Sequence, residues 1–373
     1  MQEAKNSHPF FIYETIFGAP KILSDWLKPE CKRRIDHIAE HVIRLKPRHI
    51  FLSGTGSSYL AAIAQAYGFN KIAEVPSSAW IRSELMTYTP KHFNGNAVLV
   101  FNTHSGKSPG DVSMIEIAKE RGVYTVGVTD IPDSPFAKAV DELLIGTDGP
   151  KREMPSTRTY SSAIFRVLQV AISCAGKIGS IANLNEYQIT LEKIPGLMKS
   201  VLDDIDAKVD NLVNYLKGQR AFYVISAGPN MSTAYEGAMG LTQGTGMPAV
   251  GFNVDEYVNG PIQSLSSEDC VITIAPPGPL ELKIGKCART ARSIGAKTVV
   301  VAPQKSETLK EGDISIPVPD GIPEVLTPVL YCAPFWLIGY YFSLSNGFDP
   351  DNLSMKKEAF KNSGLAELKK QIY

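Results

Sequence analysis

The sequence is poor in histidine, and the little it has is unevenly spread. All six (His8, His37, His41, His49, His92 and His104) precede residue 105, so the rest of the chain has no imidazole for acid–base or metal chemistry. Cysteine is also sparse. Cys31, Cys174, Cys270, Cys287 and Cys332 are odd in number, scattered and without CxxC spacing. That excludes a disulfide framework and a zinc ribbon, and reads as buried thiols in a reducing compartment. Charge imbalance is absent, with 38 Lys+Arg against 38 Asp+Glu. Neither nucleic acid nor membrane is therefore expected as a partner. The most apolar stretch, Pro328 to Leu344, is broken by Pro334 and Gly339 and is barely long enough for a span. It reads as a buried helix. Residues Met1 to His8 are polar and lack a signal-peptide core, and a cytoplasmic protein is expected.

What is present is a globular composition, 44% hydrophobic and 20% charged over 373 residues, with room for two cores. The most informative segment is Asn102-Thr103-His104-Ser105-Gly106-Lys107-Ser108-Pro109-Gly110. It directly follows the apolar run Ala97-Val98-Leu99-Val100-Phe101 and precedes a helix-like stretch, Asp111 to Glu120. A buried strand, a loop of hydroxyls and glycine, and a helix start together favour a small anion, because helix-start N–H groups point outward and the helix dipole attracts negative charge. The loop points to a phosphorylated small molecule.

The chain repeats itself. His49-Ile50-Phe51-Leu52-Ser53 before Gly54-Thr55-Gly56 matches Phe222-Tyr223-Val224-Ile225-Ser226 before Ala227-Gly228, at an offset of 173 (226 minus 53). Val98 and Val271, and Gly122 and Gly295, keep that offset, while Glu84 and Glu256 lie 172 apart. Such spread argues for duplication. Short β-branched runs alternate with helical stretches, clearest at Ala61 to Tyr67, Ser113 to Arg121 and Leu282 to Ser293. The expected fold is α/β, a parallel sheet flanked by helices in each half, with ligands beyond the carboxyl ends of the strands. A first domain over 1–205, including an N-terminal helical segment, a second over 206–348 and a tail over 349–373 are expected. The helical stretch Glu186 to Lys217 links the halves. The halves are unequal: the second-half counterpart of the Thr103 loop is Pro276-Pro277-Gly278-Pro279, whose three prolines remove three N–H donors. The phosphate is expected in the first half.

These residues resemble a family. Gly54-Thr55-Gly56-Ser57-Ser58 and Thr103-His104-Ser105-Gly106-Lys107-Ser108, in paired halves of this size, are similar to tandem sugar isomerase (SIS) domains. The pattern is that of the isomerase domain of glucosamine-6-phosphate synthase and of deglycases such as the one for fructoselysine 6-phosphate. Further echoes are Ile12-Tyr13-Glu14, Glu153-Met154-Pro155-Ser156-Thr157-Arg158, Glu236-Gly237-Ala238, Glu256-Tyr257-Val258-Asn259-Gly260-Pro261 and Asp351-Asn352-Leu353. The resemblance implies two SIS domains, phosphate ligands at Ser58, Thr103, Ser105 and Ser108 with backbone help from His104, and a substrate pocket involving Ser156. It also implies a homodimer, while no motif in the sequence implies a metal or nucleotide cofactor. In the family a glutamate serves as base on the helix after "EGAL", and a histidine opens the sugar ring. Here those positions hold Gln243 and Asn259, amides that cannot take a proton at neutral pH. Both then remain as substrate-binding residues.

Glu256, Glu236 and Lys356 are the side chains left to supply catalysis. Each has a structural alternative: Glu84 repeats Glu256, Glu236 is read as starting its helix, and tail lysines are often solvated. His104 is read as a phosphate contact or a loop-packing group. His37 and His41, four apart on a predicted helix, could pair on a metal, but no third ligand is evident in sequence and packing or surface roles are read instead. Two functions follow. One is an isomerase, deglycase or deaminase acting on a 6-phosphorylated amino sugar or an Amadori-type conjugate. The other is a regulatory protein that senses a sugar phosphate without turning it over. With no glutaminase half in the sequence, glutamine-dependent amidotransfer is not expected of this chain alone.

Overall fold

The alternating runs fold into ten described strands arranged as two five-stranded parallel sheets. The structure, a computed structural model, describes residues 5–146, 153, 155–179, 183–352 and 363. Two helices come first, α1 (Phe11–Asp25) and α2 (Pro29–Arg44). Pro29 opens α2, where its missing N–H has no intrahelical partner to lose. Ile35, Ile38, Ala39 and Val42 then bury one stripe at helical spacing.

The first sheet follows: β1 (His49–Gly54), α3 (Ser57–Gly68), β2 (Ser77–Ile81), α4 (Arg82–Thr87), β3 (Ala97–Asn102), α5 (Pro109–Glu120), β4 (Tyr124–Thr129), α6 (Pro135–Ala139) and β5 (Glu142–Ile145). The strand order is β2-β1-β3-β4-β5. Every residue of β3 is buried, as expected for a parallel strand covered on both faces. Helix α7 (Arg158–Ile178) packs on α2 and α3. Among the described residues it is the one helix long and apolar enough to cross a membrane, but 78% of its apolar window is buried within the protein.

The second sheet is preceded by α8 (Leu184–Asp206) and α9 (Val209–Leu216), the expected linking helices. It contains β6 (Ala221–Ser226), α10 (Met231–Thr245), β7 (Ala249–Asn253), α11 (Val254–Val258), β8 (Asp269–Ile274), α12 (Glu281–Ile294), β9 (Lys297–Pro303) and β10 (Ile314–Val318). The order β7-β6-β8-β9-β10 repeats that of the first sheet. The apolar stretch near the end forms α13 (Pro328–Tyr331) and α14 (Ala333–Ser345), both buried, with Pro334 in the first turn of α14. Four of the five cysteines are buried and all are free thiols. Burial pushes the Cys174 thiol up to about 12 and the Cys287 thiol to about 11, so both stay protonated.

Strand boundaries correct the repeat. β1 and β6 start at His49 and Ala221, and β3 and β8 at Ala97 and Asp269, so Ser53 corresponds to Ile225. The offset is 172 (225 minus 53) over the first three strands of each sheet. It becomes 173 only at the fourth strand, where Val98 pairs with Tyr124 and Cys270 with Lys297. Aligning the two serines moved the match by one residue, which in a strand exchanges one face for the other. The corrected offset aligns Gly56 with Gly228, at φ +57° and +58°, and Gly106 with Gly278.

The described chain divides into two compact units. One holds 21–146, 158–179 and 183–193, around the first sheet; the other holds 5–20, 153, 155–157 and 194–352, around the second. In the latter unit the Asp351 carboxylate accepts from the Phe11 and Ile12 backbone N–H groups at 3.1 and 2.7 Å, satisfying two otherwise open donors at the start of α1. Burial pushes the Asp351 carboxyl up, against the pull of those two bonds.

Candidate functional site

In the first domain the neighbouring strands β1 and β3 each end at a glycine-containing turn that leads into a helix, α3 and α5. This is where the strand order reverses, and a crevice opens there in sheets of this order. The Thr103 N–H extends the ladder by one bond to the Val128 carbonyl, 2.9 Å, before the chain turns away. Thr103 Oγ1 accepts from the Gly106 N–H at 3.3 Å, and Ser105 Oγ from the Lys107 N–H at 3.4 Å. Gly106 has φ +60°, and a Cβ there would lie 2.3 Å from Ser134 Oγ, so only glycine fits. Opposite, Gly54 lets β1 run close to Ser58 and to the Asn102 carbonyl. Helix α3 starts after Gly56 without a side-chain cap, and so does α5 after Ser108. The fold thus brings Ser58, Thr103, His104, Ser105 and Ser108 to the carboxyl ends of two adjacent strands, beside two helix starts suited to an anion.

Three buried polar groupings hold this edge, and sequence reasoning missed them. Arg82, 2% exposed and first in α4, donates from Nη1 to Ser108 Oγ at 2.9 Å and to Asp111 Oδ1 at 2.7 Å. Gly110 keeps room for that guanidinium, since a Cβ would lie 2.9 Å from its Cζ. Gln65 and Asn102 exchange two amide hydrogen bonds, 3.0 and 2.8 Å, tying α3 to the end of β3. His104 Nδ1 lies 2.7 Å from Asp130 Oδ2, and Arg166 Nη2 donates to Asp130 Oδ1 at 3.0 Å. Burial pushes the Asp130 carboxyl up, but the Arg166 charge and the His104 ring outweigh it and hold the group below its ordinary range. His104 therefore has a fixed partner behind the loop. One signal was available: Arg166 is a lone arginine inside a long apolar stretch, and such a charge needs a buried partner.

In the second domain the equivalent edge is filled from within. Cβ atoms placed at Gly228 and Gly278 would lie 3.1 and 2.8 Å from the two Glu324 carboxylate oxygens. The protein's own carboxylate thus stands over the two glycines that match Gly56 and Gly106. Together with Pro276, Pro277 and Pro279, this leaves the second loop no donor-rich cradle for phosphate.

A separate pocket in the second domain is lined by Ser156, Glu236, Gln243, Phe335, Trp336 and Tyr340, among others. Glu236 does not start its helix, as the sequence suggested. It is the sixth residue of α10, 4% exposed, because the helix begins at Met231 after a short 3-10 turn. Gly237 and Gly244 allow α10 to pack closely on Phe335 and on the Gly339 backbone of α14. Glu256 and Asn259 are exposed on and just after α11, and neither lines this pocket. Asn259 Nδ2 donates to the Asp255 carbonyl at 2.8 Å. Lys356 lies outside the described residues.

Comparison with known proteins agrees with this architecture. Residues 45–173 match the family described as SIS domain. The glutamine–fructose-6-phosphate aminotransferase (isomerizing) of Pyrococcus horikoshii is 28% identical over 349 residues, covering 93% of this chain and 57% of that protein. The enzyme of the same name from Gloeobacter violaceus is 27% identical, over 81% of this chain and 50% of its own length. The chain thus spans little more than half the length of these curated relatives. Among solved structures, the C-terminal domain of glucosamine-fructose-6-phosphate aminotransferase from Francisella tularensis superposes with a TM-score of 0.82 at 19% identity, over 94% of this chain and all of that one. Tagatose-6-phosphate ketose/aldose isomerase from Escherichia coli gives 0.79 at 16% identity, over 94% of this chain and 98% of that one. Residues 45–173 are thus similar to a SIS domain, and the chain as a whole shares the two-sheet fold of these solved structures.

Proposed function

We propose that this chain binds a 6-phosphorylated sugar through Ser58, Thr103, Ser105, Ser108 and the His104 backbone. The substrate is an amino sugar or an Amadori-type sugar–amine conjugate, turned over by isomerase- or deglycase-type chemistry. The observation that carries this reading is the donor-rich loop of the first domain, held by the buried Arg82–Asp111 and Arg166–Asp130–His104 groupings. Its counterpart in the second domain is instead covered by Glu324. Hydroxyl and backbone donors at two helix starts suit a dianionic phosphate. For the chemistry, Glu236 is the proton-transfer carboxylate this reading favours, since it is buried in a pocket whereas Glu256 is exposed. One carboxylate suffices to take a proton from C2 of an open-chain sugar and return it to C1, or the reverse, through an enediol or enolamine.

A second reading has its own support. Gln243 places an amide on the pocket wall beside Glu236, and Asn259 is exposed, so neither offers a titrating group. A sugar-phosphate sensor without turnover would have such a site. Calorimetric titration with fructose 6-phosphate, glucosamine 6-phosphate and fructoselysine 6-phosphate, with product analysis on the same samples, separates the two. Binding with new product supports the enzyme. Binding without product supports the sensor, and no binding of any of the three removes the phosphate-loop reading.

A further inference from the structure

Two histidines on one helix face and a carboxylate from a neighbouring strand converge at the opposite end of the first sheet from the phosphate loop. His37 and His41 are four residues apart on α2, and their ring centroids are 4.3 Å apart. Glu142 is the first residue of β5, which packs beside α2. One ligand atom from each of the three lies within 4.8 Å of the others. His37 Nε2 is 3.1 Å from Glu142 Oε1. His41 Nδ1 is 3.0 Å from the His37 backbone carbonyl, which can only accept, so Nδ1–H donates and the lone pair is on Nε2. That is the tautomer a metal-ligating imidazole adopts, with its second nitrogen held by a carbonyl. Glu142 is oriented as well: Arg34 Nη2 lies 2.6 Å from its other oxygen, Oε2. The third ligand is 101 positions beyond His41 (142 minus 41), which is why the sequence offered only a pair.

We propose that His37, His41 and Glu142 bind a zinc-class divalent cation that clips α2 to β5. Two imidazoles and one carboxylate match the borderline character of Zn2+, and three protein ligands leave a fourth position for water. The His37 side chain is half exposed, which leaves it room to turn toward a shared ion. The nearby Arg34 charge weakens the site, so the affinity is limited by that guanidinium as much as by the ligands. The role is structural, because the cluster stands at the amino ends of β4 and β5 and the phosphate loop at the carboxyl ends of β1 and β3.

The test uses the full chain without a polyhistidine tag, titrated with ZnCl2 against a chromophoric chelator, with the melting temperature followed in parallel. The expected result is one saturable equivalent and a raised melting temperature. His41→Ala and Glu142→Gln should each weaken binding by about tenfold or more, given that lost outer-shell partners alone cost roughly ten- to a hundredfold. Circular dichroism should show the His37→Ala/His41→Ala variant to be folded, since His37 is exposed and His41 half-buried. Absence of a saturable equivalent in the unmodified protein, or unchanged affinity in the double variant, overturns the site.

Discussion

Arg82 and Asp111, 29 residues apart in sequence, form an ion pair at 2.7 Å with side chains 2% and 8% exposed. The same guanidinium reaches Ser108 Oγ, so it orients the last hydroxyl of the phosphate loop as well as the first turn of α5. Replacing Asp111 takes a carboxylate away from a guanidinium that is only 2% exposed. Asp111→Ala should therefore cost about 3–5 kcal/mol of stability. The check is the urea midpoint of the variant. A loss well under 1 kcal/mol would mean that water reaches Arg82 and the pair is not buried in solution.

The loop hydroxyls predict a binding loss. Ser105→Ala with Ser108→Ala should weaken sugar-phosphate binding by roughly 1–3 kcal/mol for each charge-assisted bond removed, and the loss of the Ser108 acceptor should also lower stability, because the buried Arg82 donates to it. Calorimetry against fructose 6-phosphate measures it, and unchanged affinity would place the phosphate elsewhere.

Gly106 tests the loop backbone. Its φ is +60°, and the methyl of an alanine would come within 2.3 Å of Ser134 Oγ. Gly106→Ala should therefore strain the turn by about 1–2 kcal/mol or more. Affinity for sugar phosphate should fall alongside the melting temperature. Gly179→Ala, also at positive φ but in open space, should cost stability without touching affinity.

Asp130 predicts a pH dependence. Its folded carboxyl is held below the ordinary value of 3.8 by Arg166 and His104, despite burial. A depressed folded value means that folding favours the ionised form. The stabilisation is therefore complete above pH 3.8 and is lost as the pH falls below it, through the folded value. The stability gap between the unmodified protein and Asp130→Asn should be wide at neutral pH and should narrow below about pH 4, as followed by denaturant titrations at several pH values. A gap that stays constant would show that the carboxylate is not what Arg166 and His104 recognise.

Glu236→Gln separates chemistry from binding. If Glu236 moves the proton, turnover should disappear while calorimetric affinity for the substrate stays close to that of the unmodified chain. Glu256→Gln, at an exposed position, should leave turnover intact. The reverse pattern would return catalysis to Glu256.

The strand, turn and helix start around Thr103–Ser108 were legible because their signals are local. A buried strand, a turn that needs glycine, hydroxyls and a helix start all lie within fifteen residues, 97–111, and each has a periodicity or a turn chemistry of its own. The sheet architecture was legible for the same reason, and so was the duplication, apart from a register one residue out. A serine shared by two strands looks like a landmark, yet the strand limits and the positive-φ glycines that follow them, Gly56 and Gly228, fix the match. The acids of the second half were less legible. Glu236 and Glu256 carry the same group, and nothing in the spacing says that one is buried in α10 and the other exposed on α11.

By itself the sequence determined two α/β sheets of one ancestry and a donor-rich turn in only one of them. Those properties follow from residue type and short-range period. Tertiary structure alone decided that Arg82 meets Asp111, that Arg166 and His104 share Asp130, that Glu142 stands beside His37, and that Glu324 covers the second loop's glycines. These partners are separated by entire strand–helix crossovers, and a crossover carries no record of which side chains its ends will bring together. The sheet order sets those neighbours, and the need to pair every buried charge then selects among them.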